Sequence, residues 1–147
     1  MRSLTVTLCS TMLLLLSPFA NAENVTRTGG YAIHHNALTT DNLPAQVATA
    51  YGLQRSKSRA MLNISVIREE LGTMGTPVRA DIRAVARTLY GQIRPLELRE
   101  IVEDRAIYYI ADFPVAHREV LIFDLEVMPQ DGRYPLRATL RQEFYTN

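Results

Sequence analysis

The sequence predicts an all-β fold: a seven-stranded antiparallel sandwich of immunoglobulin-like type with one short helix. Three observations predict it. Apolar and polar residues alternate with period two along several runs, which is the pattern of strands with one buried face. Turn-forming residues separate those runs at spacings of roughly 10–15 residues. Only one stretch, Leu43–Tyr51, carries helical spacing. A closed meander barrel is the alternative arrangement. The inter-sheet disulfide and core tryptophan of antibody domains have no counterpart here, since the chain has one cysteine and no tryptophan. The likeness is therefore one of architecture alone.

In chain order, residues 23–28 are polar and read as loose. After Gly29-Gly30, Tyr31, Ile33, His35 and Ala37 alternate with Ala32, His34 and Asn36, giving a first strand. Asp41-Asn42-Leu43-Pro44 resembles a helix start, with a capping side chain and a proline in the first turn. Leu43, Val47 and Tyr51 then share a helical face, and Gly52 is placed to end the helix, which is expected to cross an open end of the sandwich. Met61–Glu69 is the second strand, with Leu62, Ile64 and Val66 facing in and Asn63 and Ser65 facing out. Leu71–Pro77, with two glycines and a proline, makes a turn. Val78–Leu89 is the third strand; its inward residues are mostly small, so a neighbour must place bulky side chains over them.

Pro95 suits an edge position, and Leu96 and Leu98 point one way on the fourth strand. Glu103-Asp104-Arg105 is a charged reversal. Ala106–Phe113 and Glu119–Val127 then flank a turn at Pro114–Arg118 and are expected to pair as a central hairpin. In the first of them Ile107, Tyr109, Ala111 and Phe113 share a face; in the second Leu121, Phe123, Leu125 and Val127 do, with Asp124 and Glu126 opposite. Pro129-Gln-Asp-Gly132 carries the Asp-Gly signal of a tight hairpin turn. The last strand places Tyr134, Leu136, Ala138, Leu140 and Phe144 inward.

The first 22 residues read as an export signal. Arg2 is followed by an apolar run to Leu16, Pro18 breaks it, and Ala20-Asn21-Ala22 is a small-x-small cleavage site. The run is shorter than the ~20 apolar residues of a membrane span, so cleavage after Ala22 and a periplasmic mature chain, residues 23–147, are expected. Removing 22 of 147 residues leaves 125, enough for a single domain with its own core. Nothing in that mature chain is long and apolar enough to span a bilayer. It keeps all 15 acidic residues and 15 of 16 basic ones. Near-neutrality argues against a nucleic-acid partner. Cys9, the only cysteine, lies in the leader, so packing without a disulfide must hold the exported domain.

Catalytic signals are lacking. No cysteine remains after processing, and Ser56 and Ser58 sit in a charged loop without the Gly-x-Ser-x-Gly frame of a nucleophile elbow. No glycine-rich phosphate loop precedes a helix. His34 and His35 are adjacent on a strand, so they point to opposite faces and cannot chelate one metal together; no metal or cofactor is expected. Arg55, Lys57 and Arg59 form a basic loop whose plain explanation is solvation. If the chain returns on itself through the helix, His34 or His35 with Asn36 would supply adjustable donors and Arg55 or Arg59 a fixed charge. That set suits a small anionic ligand.

Several separated blocks carry a resemblance: Tyr31-Ala-Ile-His-His-Asn-Ala37, Tyr51-Gly-Leu-Gln-Arg-Ser-Lys-Ser-Arg-Ala60, Asn63-Ile-Ser-Val66, and Leu98-Arg-Glu-Ile101 with Ala106-Ile-Tyr-Tyr-Ile-Ala-Asp-Phe113. On them the chain, from about Gly29 to Tyr145, resembles a domain-of-unknown-function family of small exported proteins from Gram-negative proteobacteria. The resemblance implies a periplasmic location and one compact domain, and it brings no assigned activity. The leading expectation is a non-enzymatic periplasmic binding or accessory module for an unknown protein or a small anionic ligand. The rival is a metal- or histidine-dependent periplasmic enzyme built on His34, His35 and His117.

Overall fold

The structure, a computed structural model, describes residues 24–147; the leader and its cleavage site lie outside the described residues. Two antiparallel sheets face each other. The first contains β1 (Val25–Thr28), β2 (Tyr31–Thr39), β3 (Arg59–Arg68), β8 (Ala106–Pro114) and β7 (Arg99–Glu103) in that order, with the two-residue β4 (Thr76–Pro77) paired to the end of β3. The second runs β10 (Leu136–Phe144), β9 (Glu119–Pro129), β5 (Ala80–Thr88), β6 (Ile93–Leu96). The sheets do not merge into a barrel. The sandwich is as the alternation requires. All seven expected strands are present; one of them is split, and β1 and β4 are additional.

The inner faces follow the period-two pattern. Ile33 and Ala37 on β2, Leu62, Ile64 and Val66 on β3, and Tyr109 and Phe113 on β8 meet Ala84 and Ala86 on β5, Leu121, Phe123, Leu125 and Val127 on β9, and Leu140 and Phe144 on β10. The small residues of β5 are indeed neighboured by bulky ones. Phe113, Phe123 and Phe144 pack as a cluster with ring centroids 5.6–6.4 Å apart. A polar tie crosses this core: the Tyr109 hydroxyl accepts the Ala80 N–H at 2.9 Å and donates to Glu100 Oε2 at 3.1 Å. Burial pushes the Tyr109 phenol up, so it stays protonated and able to donate.

Five expectations are corrected. The supposed central hairpin does not form. β8 pairs with β3 and β7, whereas β9 pairs with β5 and β10, so residues 115–118 carry the chain from one sheet to the other. Crossing over puts the Phe113 and Phe123 faces against each other, which side-by-side pairing could not do. Residues 25–28 are not loose but form β1, joined to β2 through Gly29 and Gly30 at φ 60° and 81°. Those two left-handed positions make a tight hairpin turn that glycine accepts without strain. The fourth strand breaks between Leu96 and Arg99; β6, with Pro95, is an edge strand of one sheet and β7 of the other. The β9–β10 connection takes residues 130–135, longer than a two-residue turn, and leaves Tyr134 75% exposed. Asp131 in it accepts hydrogen bonds from Tyr31 and Arg68 of the first sheet, which hold its carboxyl below the usual range.

The last correction concerns the helix. α1 (Ala45–Ala50) follows a 3₁₀ turn at Thr40–Asn42, starts at Pro44 without a side-chain cap, and does not cross an open end. It lies on the outer face of the first sheet. Leu43, Ala48 and Leu53 pack there on Met61 of β3 and Ile110 of β8, with Leu38, Val47, Tyr51, Ile101 and Tyr108 around them. Gly52 at φ 62° ends it as expected, with the Leu53 N–H reaching back to the Ala48 carbonyl at 2.8 Å. Arg99 of β7 donates to the Tyr51 carbonyl and pins that end to the sheet.

Candidate functional site

The outer face of the first sheet is a grid set by strand register. His34 of β2 lies opposite Ser65 of β3, and Asn36 opposite Asn63. On the far side of β3, Asn63 pairs with Ile110 and Ile64 with Tyr109, which places Tyr108 on the outer face in the next row. Side chains in adjacent strands stand about 5 Å apart. His34, Asn36, Asn63, Ser65 and Tyr108 therefore form one contiguous polar patch beside the apolar half covered by α1. The glycine-containing connection from β3 to β4, residues 69–75, overhangs it. Together they enclose a groove of about 910 Å³. Leu71 and Met74 on its lip are fully exposed.

The electrostatics of the groove are self-contained. Arg27 and Glu69 form an ion pair at 2.8 Å across its rim. Glu70 accepts from the Thr76 hydroxyl at 2.8 Å and from Arg68 at 3.1 Å, which hold its carboxyl below the usual range. The floor holds no carboxylate, lysine or arginine. Asn63 Oδ1 is buried without a hydrogen-bond partner among the described residues.

The residues singled out from the sequence are dispersed. His34 and Asn36 lie on the outer face; His34 lines the groove, and Asn36, opposite Asn63, stands outside its lining. His35 points the other way, into the sandwich, where it is 6% exposed, shares a 3.0 Å hydrogen bond with Thr26 through Nε2 and leaves Nδ1 without a partner. Burial holds its pKa below the ordinary value. Arg59 stands on the outer face four residues along β3 from Asn63, and it is ion-paired with Asp112. Arg55 donates to the Asp41 carbonyl at 2.8 Å. Buried Thr40 anchors this basic loop: its hydroxyl donates to the Gln54 carbonyl at 2.8 Å and accepts the Ser56 N–H at 2.9 Å. His117 lies in the crossover, where Nδ1 accepts the Thr146 N–H at 3.2 Å. Among the described residues no group of three or more His, Cys, Asp or Glu side chains is placed to hold a metal ion. Asn63, Ser65 and Tyr108 were not among the residues singled out. The signal for the first two was present, since they are the outward polar positions of their strand.

Comparison with known proteins places the chain. A family model, DUF4426, a domain of unknown function, matches residues 25–147. The chain belongs to this family. A crystal structure of a DUF4426 family protein from Pseudomonas aeruginosa is 32% identical, with a TM-score of 0.71 over 88% of this chain and 99% of that one. FetP of uropathogenic Escherichia coli strain F11, recombinantly expressed in the periplasm, is 12% identical, with a TM-score of 0.59 over 82% of this chain and 92% of that one. A copper-bound variant of FetP is 11% identical, again at 0.59, over 86% and 97%. At these identities the likeness to FetP is one of fold. No curated protein matches the chain. No helix among the described residues is long and apolar enough to cross a membrane.

Proposed function

We propose that this DUF4426 protein is an exported, non-enzymatic periplasmic binding module, and that its ligand seat is the open half of the outer face of the first sheet. One observation carries the reading: a helix covers half of that face, and the other half is a groove of about 910 Å³ whose floor sets His34, Asn63 and Ser65 among Ala32, Ile67 and Tyr108. Pockets with a few convergent polar groups are where ligands bind. Here the strands hold those groups rigid while a glycine-containing loop overhangs them. Export follows from the leader, with cleavage after Ala22, and the periplasmic expression of FetP supports it.

The copper-bound FetP variant raises the question of a metal here. The histidines do not assemble one: His34 and His35 diverge, His117 is bonded to the C-terminal segment, and no three His, Cys, Asp or Glu side chains come together among the described residues. We derive no metal step. The small anionic ligand expected from the sequence would compete with Asp112 for Arg59, whereas Arg55, which donates to the Asp41 carbonyl, keeps its charge uncompensated there.

The test is chemical-shift mapping of the mature protein with periplasmic extract, read at the amides of His34, Asn63, Ser65 and Tyr108. Perturbation centred on those residues, lost in Asn63→Leu, is expected. Perturbation confined to the second sheet or the far loops would overturn the seat.

A further inference from the structure

The groove selects by what it lacks. Its floor presents an imidazole, a carboxamide, a serine hydroxyl and the ring of Tyr108, interspersed with Ala32 and Ile67, and it holds no carboxylate, lysine or arginine. Every charged side chain on its rim is already paired: Arg27 with Glu69, and Glu70 with Arg68. An ionic ligand would find no unmatched counter-charge there, and would leave water for no gain in pairing. A purely apolar ligand would strand the hydrogen-bonding groups that Ser65 and the other polar floor residues present. The lip adds the opposite character, since Leu71 and Met74 are fully exposed apolar side chains beside a polar floor.

We propose that the ligand is a neutral glycan, a short chain of uncharged sugar rings lying along the groove. This rests on the binding reading above and names its ligand class. A sugar ring has hydroxyls around its edge that both donate and accept, matching the carboxamide, serine and imidazole of the floor. Its faces carry C–H groups, matching the Tyr108 ring and the apolar lip. The dimensions agree: about 910 Å³ is the size of site that holds a drug-sized or oligomeric ligand.

The experiment titrates mature protein with chitotetraose, with maltotetraose, with tetra-alanine amide acetylated at its N-terminus and with inorganic phosphate, following amide shifts. At least one of the two sugars is expected to move His34, Asn63, Ser65 and Tyr108, while phosphate does not. Tyr108→Ala should weaken that binding about tenfold, as loss of one ring contact. Because Tyr108 also borders the helix-covered cluster, Ser65→Ala, in the groove lining, serves as a second variant, with affinity reduced and melting temperature unchanged. If neither sugar perturbs the groove, the glycan proposal falls. If the peptide does so instead, the groove remains a binding seat and only its ligand class is wrong. Sugar-induced shifts located elsewhere keep a binding module but remove this seat. Phosphate binding in the groove would overturn the neutrality argument.

Discussion

The two halves of the outer face of the first sheet are made by the same three strands, yet one is covered and one is open. On β3 the outward positions run Arg59, Met61, Asn63, Ser65 and Ile67. Met61 is buried under α1 beside Ile110, and the face turns polar at Asn63, where the helical cover ends. A sheet face in a sandwich can be solvated, and an apolar stretch on it demands a cover. The cover here is a helix of six residues, too short to be stable by itself. Its position is therefore set by what it buries, and the open half mixes Asn63 and Ser65 with Ala32 and Ile67.

Removing what holds the cover should produce the largest effect. Ile110→Ala, beneath the helix, should destabilise by about 2–5 kcal/mol in denaturant unfolding. A loss below about 1 kcal/mol would show that the covered half is not a packed cluster. Gly52→Ala should cost roughly 1 kcal/mol, because alanine at φ 62° meets its own carbonyl; an unchanged melting temperature would mean the helix ends differently.

A third test separates the adjacent histidines. His35 is buried neutral, its pKa held below the ordinary 6.5 by burial. Below pH 6.5 the unfolded chain therefore binds more protons than the folded one at this site, and stability rises with pH through that window. Acidification below 6.5 should lower the melting temperature, and His35→Gln should reduce that slope. An equal slope in the variant would assign the pH dependence elsewhere. On the open half, Ser65→Ala should change stability by under about 0.5 kcal/mol while affecting ligand shifts. A loss comparable to that of Ile110→Ala would erase the distinction between the halves.

Asp124 shows the same dependence on neighbours in the second sheet. Alternation places it outward, as found, but Arg87 donates to it at 3.1 Å and Thr139 at 3.4 Å. This outward position is paired because β5 and β10 flank it.

What the sequence by itself determined is the list of strand faces and the sandwich class. Alternation is a local property: each side chain's direction follows from its neighbour's, so Leu62, Ile64 and Val66 inward and Asn63 and Ser65 outward could be read directly. The split between His34 and His35 was legible for the same reason. Which strand pairs with which was not, because partner choice depends on burying faces between distant segments. Ala106–Phe113 and Glu119–Val127 look like a hairpin until Phe113 must be covered by Phe123 across the core. Glycines at 29 and 30 marked a hairpin whose first strand is too polar to announce itself. The site divides likewise. His34 and Asn36 could be named from one strand, whereas joining them to Asn63, Ser65 and Tyr108 required the register of three strands. The contacts of Arg55 and Arg59 were likewise not legible, because the Asp41 carbonyl and the Asp112 carboxylate arrive from elsewhere in the chain. Local geometry is written residue by residue; a site is a coincidence of separate segments, and only packing brings them together.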